Sequence, residues 1–188
     1  MLQNRLWLCR TVALVGMMGS GKTAIGCALA MRLGSVLRDS DAEIEESTRM
    51  TVARIFERDG EAFFREKEGQ VIARLLNGSP CVLSTGGGAW LSPQNRKVIL
   101  AKAAVLWLEA DLELLWARIR NSNKIRPLLR TENPRVTLAQ LLTDREPAYR
   151  TAPHRVKVHP DWSIDRTTAA VVKVLQGAGV IRSGGRDD

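Results

Sequence analysis

Residues 11–34 read TVALVGMMGSGKTAIGCALAMRLG, and they decide the fold. Thr11 to Val15 is a short β-rich run ending at glycine, the pattern of a buried parallel strand. Gly16 to Thr23, GMMGSGKT, matches the spacing G-x-x-x-x-G-K-[ST]. From Lys22, helix formers with apolar residues at helical spacing run to Gly34, which predicts a helix. A strand before the motif and a helix after it is the context a phosphate-binding loop requires. Its glycines let successive backbone N–H groups turn inward, and the new helix points its positive end at the phosphates. Lys22 can reach the β- and γ-phosphates, and the Thr23 hydroxyl suits Mg²⁺. Gly19, Ser20, Gly21, Lys22, Thr23 and Ala24 are therefore the candidate cradle of a purine triphosphate. Ala24 stands where many such loops carry a second hydroxyl. Its place there removes one hydrogen bond to the α-phosphate and leaves the metal ligand intact.

Working outward, SVLRDSD reads as a second strand ending in two acids, followed by helical character from Asp41 to Leu76 that Gly60 divides in two. CVLS, AAVLWL and RVKV read as further strands. DLELLWARIR, TLAQLLTDREPAYR and Thr167 to Gln176 read as helices. Strands alternating with helices predict a parallel sheet of about five strands covered on both faces. That is a three-layer α/β/α P-loop kinase fold of the nucleoside-monophosphate-kinase type. Right-handed crossovers put all strand-to-helix loops on one edge, where ligands bind. Residues 11–178 are expected to form one domain, with an N-terminal extension at 1–10 and a flexible tail at 179–188.

The 188 residues suit a single domain, and 45% apolar with 26% charged residues is ordinary for a soluble protein. No apolar stretch approaches the ~20 residues of a membrane span, and the start, MLQNRLWLCR, lacks a secretory pattern. Three scattered cysteines fit a reduced cytoplasmic protein, with Cys27 and Cys81 expected as small core residues. The formal charge of +8 admits nucleic acid, a membrane surface or small anions as partners. The basic residues are dispersed rather than gathered in one stripe, which favours small anions. Neither nucleic acid nor membrane is an expected partner, and a monomer is expected.

Asp39 and Asp41 end the second strand with Ser40 between them. In an extended chain, residues two apart point the same way, so both carboxylates would face the ligand edge. Phosphoryl transfer to an alcohol needs acids to hold Mg²⁺ and to accept the hydroxyl proton. Asp39 suits the metal and Asp41 the base, although Asp41 also suits a helix N-cap before AEIEE. NSNKIRPLLRTENPR, with Lys124, Arg126, Arg130 and Arg135, has the polar and proline content of a lid that closes over phosphates. Arg65 in GEAFFREKE and Arg145 in TDREPAYR read, taken alone, as solvated helix charges. His154 and His159 read as surface or strand-end residues, and Trp107 and Trp116 as core. Trp90 is placed to border an acceptor pocket.

Taken together, VALVGMMGSGKT, RDSDAEIE, IFERDGEAFFREKE, VLSTGGGAWL, RPLL and REPAYR, in this order, resemble the shikimate kinase family. The resemblance covers roughly Thr11 to Val158. It implies ATP-dependent phosphorylation of the shikimate 3-hydroxyl, a step of aromatic amino-acid biosynthesis, with Mg²⁺ as cofactor. Residues 41–77 would be the acceptor-binding insert and 121–136 the lid. It further implies Asp41 as catalytic base beside Lys22 and Arg126. Gly87 would be the main contact to shikimate, with Gly86 and Gly88 shaping the turn, and Arg65 and Arg145 would grip its carboxylate. Arg126 would be the lid arginine, and Arg120 is the nearest match to an arginine that stacks on adenine. The segment VHPDWSID departs from the family's adenine loop, so no contact carries over there. Gluconate kinase shares the loop and paired acids, but a His-Pro expected after the acids is missing from DSDAEIE. A nucleic-acid-binding P-loop protein is the alternative that the charge suggests.

Overall fold

The computed structural model describes residues 6–184. In chain order the strands are β1 (Leu6–Leu8), β2 (Thr11–Val15), β3 (Leu37–Asp39), β4 (Val82–Ser84), β5 (Ala103–Glu109), β6 (His154–Lys157) and β7 (Ile181–Ser183). The helices are α1 (Lys22–Arg32), α2 (Ser40–Thr48), α3 (Val52–Arg58), α4 (Gly60–Leu75), α5 (Pro93–Lys102), α6 (Leu112–Arg120), α7 (Pro134–Tyr149) and α8 (Ile164–Gly177). Short 3₁₀ turns lie at Ala89–Leu91 and Pro127–Leu129. No helix among the described residues is long and apolar enough to cross a membrane.

Five strands form a parallel sheet in the order β3-β4-β2-β5-β6. Its centre is β2 against β5, in register from Thr11 opposite Ala103 to Val15 opposite Trp107. Every residue of β2 is buried, as a strand covered by helices on both faces must be. The sheet with its flanking helices is the predicted three-layer P-loop kinase fold. With β2 at the centre, the loop at its C-terminal end lies between those following β4 and β5, so cradle, triplet and α6 converge on one edge.

The insert after β3 has its own small core of Ile44, Ile55, Phe64 and Val71, with the Phe56 ring 4.9 Å from that of Phe64. Three helices build it rather than the two that Gly60 alone predicts. The extra break falls at Arg49, whose left-handed backbone (φ 53°) caps α2, and Thr51 then caps α3 by accepting from the Arg54 N–H. Helix α5 is a further element the apolar pattern did not reveal. Its signals are local, Ser92 accepting from the Asn95 N–H and Pro93 in the first turn. Likewise α8 starts at Ile164, earlier than Thr167, because Ser163 caps it.

Several side-chain expectations are corrected. Cys81 is buried, but Cys27 is exposed on the outer face of α1. Trp90 is a core residue that does not line the acceptor pocket: it is 1% exposed, and its indole N–H donates to the Ala148 carbonyl at 2.9 Å. Trp107 is buried and stacked on Tyr149, and Trp116 packs partly buried against the core. Strands β1 and β7 pair antiparallel, Leu6 opposite Ser183 and Leu8 opposite Ile181, where an extension and a tail were expected. Two three-residue strands so distant in sequence leave no local signal. The rest of that tail, residues 185–188, lies outside the described residues, as do residues 1–5.

Candidate active site

The phosphate loop joins β2 to α1. Gly16, Gly19 and Gly21 take φ values of 144°, 82° and 99°, which L side chains rarely adopt. Those glycines let the backbone fold round the Lys22 ammonium, which donates to the carbonyls of Gly16 (2.8 Å) and Met17 (2.9 Å). Burial pushes the Lys22 pKa down to about 8, against the opposing pull of Asp41 and Asp39. Lys22, Thr23 and Ala24 line one cavity of about 790 Å³ together with Gly19 and Gly21. Ser20 is fully buried, and its hydroxyl has no hydrogen-bond partner among the described residues.

Arg118 is a contact that the sequence reading missed. Its guanidinium donates to the carbonyls of Gly19 (3.3 Å) and Ser20 (3.1 Å), so α6 clasps the loop from behind. The signal was available, since Arg118 follows Leu115 by three residues and adjoins Ile119, both buried on α6. Arg120, the residue expected beside adenine, is not in the main cavity. It lines a separate groove of about 290 Å³ with Trp116 and Pro134.

Asp39 is the N-cap of α2. Its Oδ1 accepts from the backbone N–H groups of Asp41 (3.1 Å) and Ala42 (3.4 Å), and its Oδ2 accepts from the Thr23 hydroxyl at 2.9 Å. Asp41 therefore lies in the first turn of a helix, not on a strand two residues from Asp39. The cap swings the chain so that both acids still line the cavity. No group of three His, Cys, Asp or Glu residues able to hold a metal exists among the described residues. The Thr23–Asp39 pair offers oxygen donors only. That fits Mg²⁺, which keeps several waters and takes its remaining ligands from phosphates.

The half of the cavity away from the phosphate loop is built by α4 and the glycine triplet. Glu68, which reads in the sequence only as a helix charge, is fully buried. One of its oxygens accepts from Arg65 at 2.9 Å, and Glu61 takes a second edge of the same guanidinium at 2.9 Å. Burial pushes the Glu68 pKa up, with Arg65 pulling the other way. For Arg65, burial lowers the pKa, but Glu68 and Glu61 outweigh it and hold the guanidinium above its ordinary value. Asp41 is also pushed up, first by burial and then by Asp39.

A β-carbon on Gly86 would stand 2.6 Å from Glu68 Oε1 and 2.7 Å from Asp41 Oδ1, and one on Gly88 would stand 2.4 Å from Arg65 Nη2. The outer glycines of the triplet are thus fixed by close packing of cavity side chains against the backbone. A β-carbon on Gly87 would meet Met18 N at 3.4 Å, the Gly16 carbonyl at 3.8 Å and Arg145 Nη1 at 3.9 Å, all ordinary contacts. Arg145, on α7, is 6% exposed and lines the same cavity. The Tyr149 hydroxyl donates to the Gly87 carbonyl, and burial pushes its pKa up to about 12, which keeps it a donor. Ser40 accepts from the Gly86 N–H at 2.9 Å, tying the triplet to the acid-bearing helix.

Residues 122–128 close the remaining side. Arg126 lines the cavity, but its guanidinium turns back to donate to the Lys124 carbonyl (2.9 Å) and the Ser122 hydroxyl (3.5 Å). Beyond the 3₁₀ turn at Pro127–Leu129, Arg130 pairs with Glu57 on α3, so this segment and the helices after β3 meet across the mouth.

A parallel-sheet fold with a phosphate loop, a half-buried acid at its edge and two arginines in the same cavity defines a P-loop phosphotransferase. Residues 18–176 match the family model described as shikimate kinase. A shikimate kinase of Ruegeria pomeroyi is 53% identical over 168 residues, which cover 89% of this chain and 86% of that one. One from Cereibacter sphaeroides is 58% identical over 142 residues, 76% of this chain and 71% of that one. Among solved structures, shikimate kinase from Acinetobacter baumannii in complex with shikimate superposes with a TM-score of 0.83. It is 36% identical and covers 90% of this chain and 94% of that one. The chain belongs to the shikimate kinase family.

Proposed function

We propose that the chain transfers the γ-phosphoryl group of ATP to the 3-hydroxyl of shikimate, giving shikimate 3-phosphate and ADP. The observation that carries this reading is the cavity that holds Lys22 and Asp41 together with Arg65 and Arg145. Two guanidiniums suit a carboxylate by bidentate pairing and set its distance from the phosphate loop. Gly87 lines the same cavity, between the phosphate loop at Met18 and the guanidinium of Arg145.

In this reading Asp41 orients the acceptor hydroxyl and takes its proton as the oxygen attacks the γ-phosphorus. Its raised pKa brings the base closer to neutrality, which favours proton transfer near physiological pH. Lys22 exchanges the carbonyls of Gly16 and Met17 for β- and γ-phosphate oxygens. Arg126 and Lys22 balance charge as the bond to the leaving β-phosphate oxygen breaks. Mg²⁺ bound through Thr23, and through Asp39 by way of water, would neutralise the β- and γ-oxygens. Thr23 and Asp39 hold each other at 2.9 Å, so the oxygen pair is set in advance.

The test is ADP release from ATP and Mg²⁺ with shikimate added, omitted, or replaced by gluconate. Turnover is expected with shikimate alone. Equal turnover with gluconate, or none with either, overturns the reading. Salt-dependent oligonucleotide binding without turnover would point instead to the nucleic-acid alternative.

A further inference from the structure

The lid carries a second cation that the proposed function leaves unused. Lys124 lines the cavity beside Lys22, Asp41 and Arg126. Its backbone is committed, the N–H to the Ser122 hydroxyl at 3.2 Å and the carbonyl to the Arg126 guanidinium at 2.9 Å. Among the described residues its ammonium enters no hydrogen bond or ion pair, in contrast to Arg130 and Arg135, which pair with Glu57 and Glu113. It shares that cavity with the two groups between which the phosphoryl group must pass.

Lys22, Lys124 and Arg126 thus bring three positive charges to one cavity, and like charges gathered so closely repel. Asp39 and Asp41 are the acids that act on Lys22 there, and Arg65 shares the field of Asp41. An anion carrying more than one charge at that point relieves the repulsion. Arg126 is turned back on the lid toward Lys124 and Ser122, while the three donors of the Lys124 ammonium are without a partner among the described residues.

We propose that Lys124 is a further phosphoryl-contacting cation of the lid, its ammonium binding oxygens of the group in flight between Lys22 and Asp41 alongside Arg126. The inference rests on the phosphotransferase reading above. Lys124 forms no covalent bond and keeps its proton. The bond that breaks is from the γ-phosphorus to the β,γ-bridging oxygen, the bond that forms is to the acceptor oxygen, and the hydroxyl proton goes to Asp41. An ammonium placed where charge spreads over the equatorial oxygens favours the transition state over the ground state.

The experiment compares the unmodified chain with Lys124→Met, which keeps length and loses charge, and Lys124→Arg, which restores charge. Lys124→Met is expected to lower kcat by ~10–100-fold with the shikimate KM changed less than about twofold, and Lys124→Arg to recover most of the loss. Affinity for ADP with aluminium fluoride and shikimate should fall by about tenfold in Lys124→Met, with affinity for ADP alone unchanged. A merely structural lid residue would not separate those two affinities. If the unmodified chain is active, a Lys124→Met kcat within twofold, or an unchanged aluminium fluoride complex, overturns this inference alone. An unmodified chain that leaves shikimate untouched overturns the phosphotransferase reading, and this inference with it.

Discussion

Asp41 Oδ1 and Glu68 Oε1 converge on the backbone of Gly86, 2.7 and 2.6 Å from where its β-carbon would lie, and both are buried without a hydrogen-bond partner among the described residues. A buried carboxylate oxygen left unpaired costs free energy. Two at one point mark a place where hydroxyl groups of a substrate would complete the bonding. The pair divides the labour. Glu68 fixes Arg65, whereas Asp41 is left free to take a proton.

Replacing Asp41 by Asn should lower turnover by on the order of 10²–10⁴. The same change should raise the melting temperature. Folding raises the Asp41 pKa, so its carboxyl favours the folded state when protonated, and that contribution fades as pH climbs through the folded value. A neutral amide removes the cost at neutral pH. Calorimetry beside steady-state kinetics checks both; a less stable variant would contradict the assigned burial penalty.

Glu68→Gln should act through Arg65. Without the charge-assisted bond at 2.9 Å, the guanidinium loses one of its two anchors. The shikimate KM is expected to rise about tenfold with kcat changed less, because binding geometry is lost and not the base. A drop confined to kcat would place Glu68 in the chemistry instead.

Within the triplet, the three alanine variants should differ in kind. Gly87→Ala meets only ordinary contacts and should fold with a near-normal melting temperature while losing acceptor affinity. Gly88→Ala forces Arg65 aside, and Gly86→Ala displaces both acids, so each should cost stability as well. Thermal melts combined with shikimate titration separate the two classes.

Nucleotide binding should take up protons near pH 8. Burial holds the Lys22 pKa at about 8 in the free protein, and a polyphosphate beside it will pull that value upward. At pH 8 about half a proton should therefore be absorbed per nucleotide bound, and affinity should fall as pH rises further. Calorimetry in buffers of different ionisation enthalpy reads the uptake directly, and Lys22→Met should abolish it.

The cradle was legible because GMMGSGKT is contiguous and its flanks fix a strand and a helix. The sheet was legible because β2 and β5 are unbroken apolar runs. What escaped depends on folding over distance. Glu68 reads as one acid in a charged helix until α4 turns it inward. Arg118 reads as a surface charge until α6 meets the loop. Arg120 is the nearest sequence match to an adenine-stacking arginine, yet its place at the end of α6 puts it in the separate groove beside Trp116. For Asp39 and Asp41 the chemistry was anticipated but the geometry was not, because a cap and not an extended strand brings them together.

The ladder between β1 and β7 has a mechanical consequence. Leu6 faces Ser183 and the strands run in opposite senses, so opposed forces applied at these two points load one rung at a time. The pair should part like a zipper at low tension. A chain pulled there would first release α8 from its tether, with the parallel ladder of β2 and β5, which is stressed only afterwards, still whole.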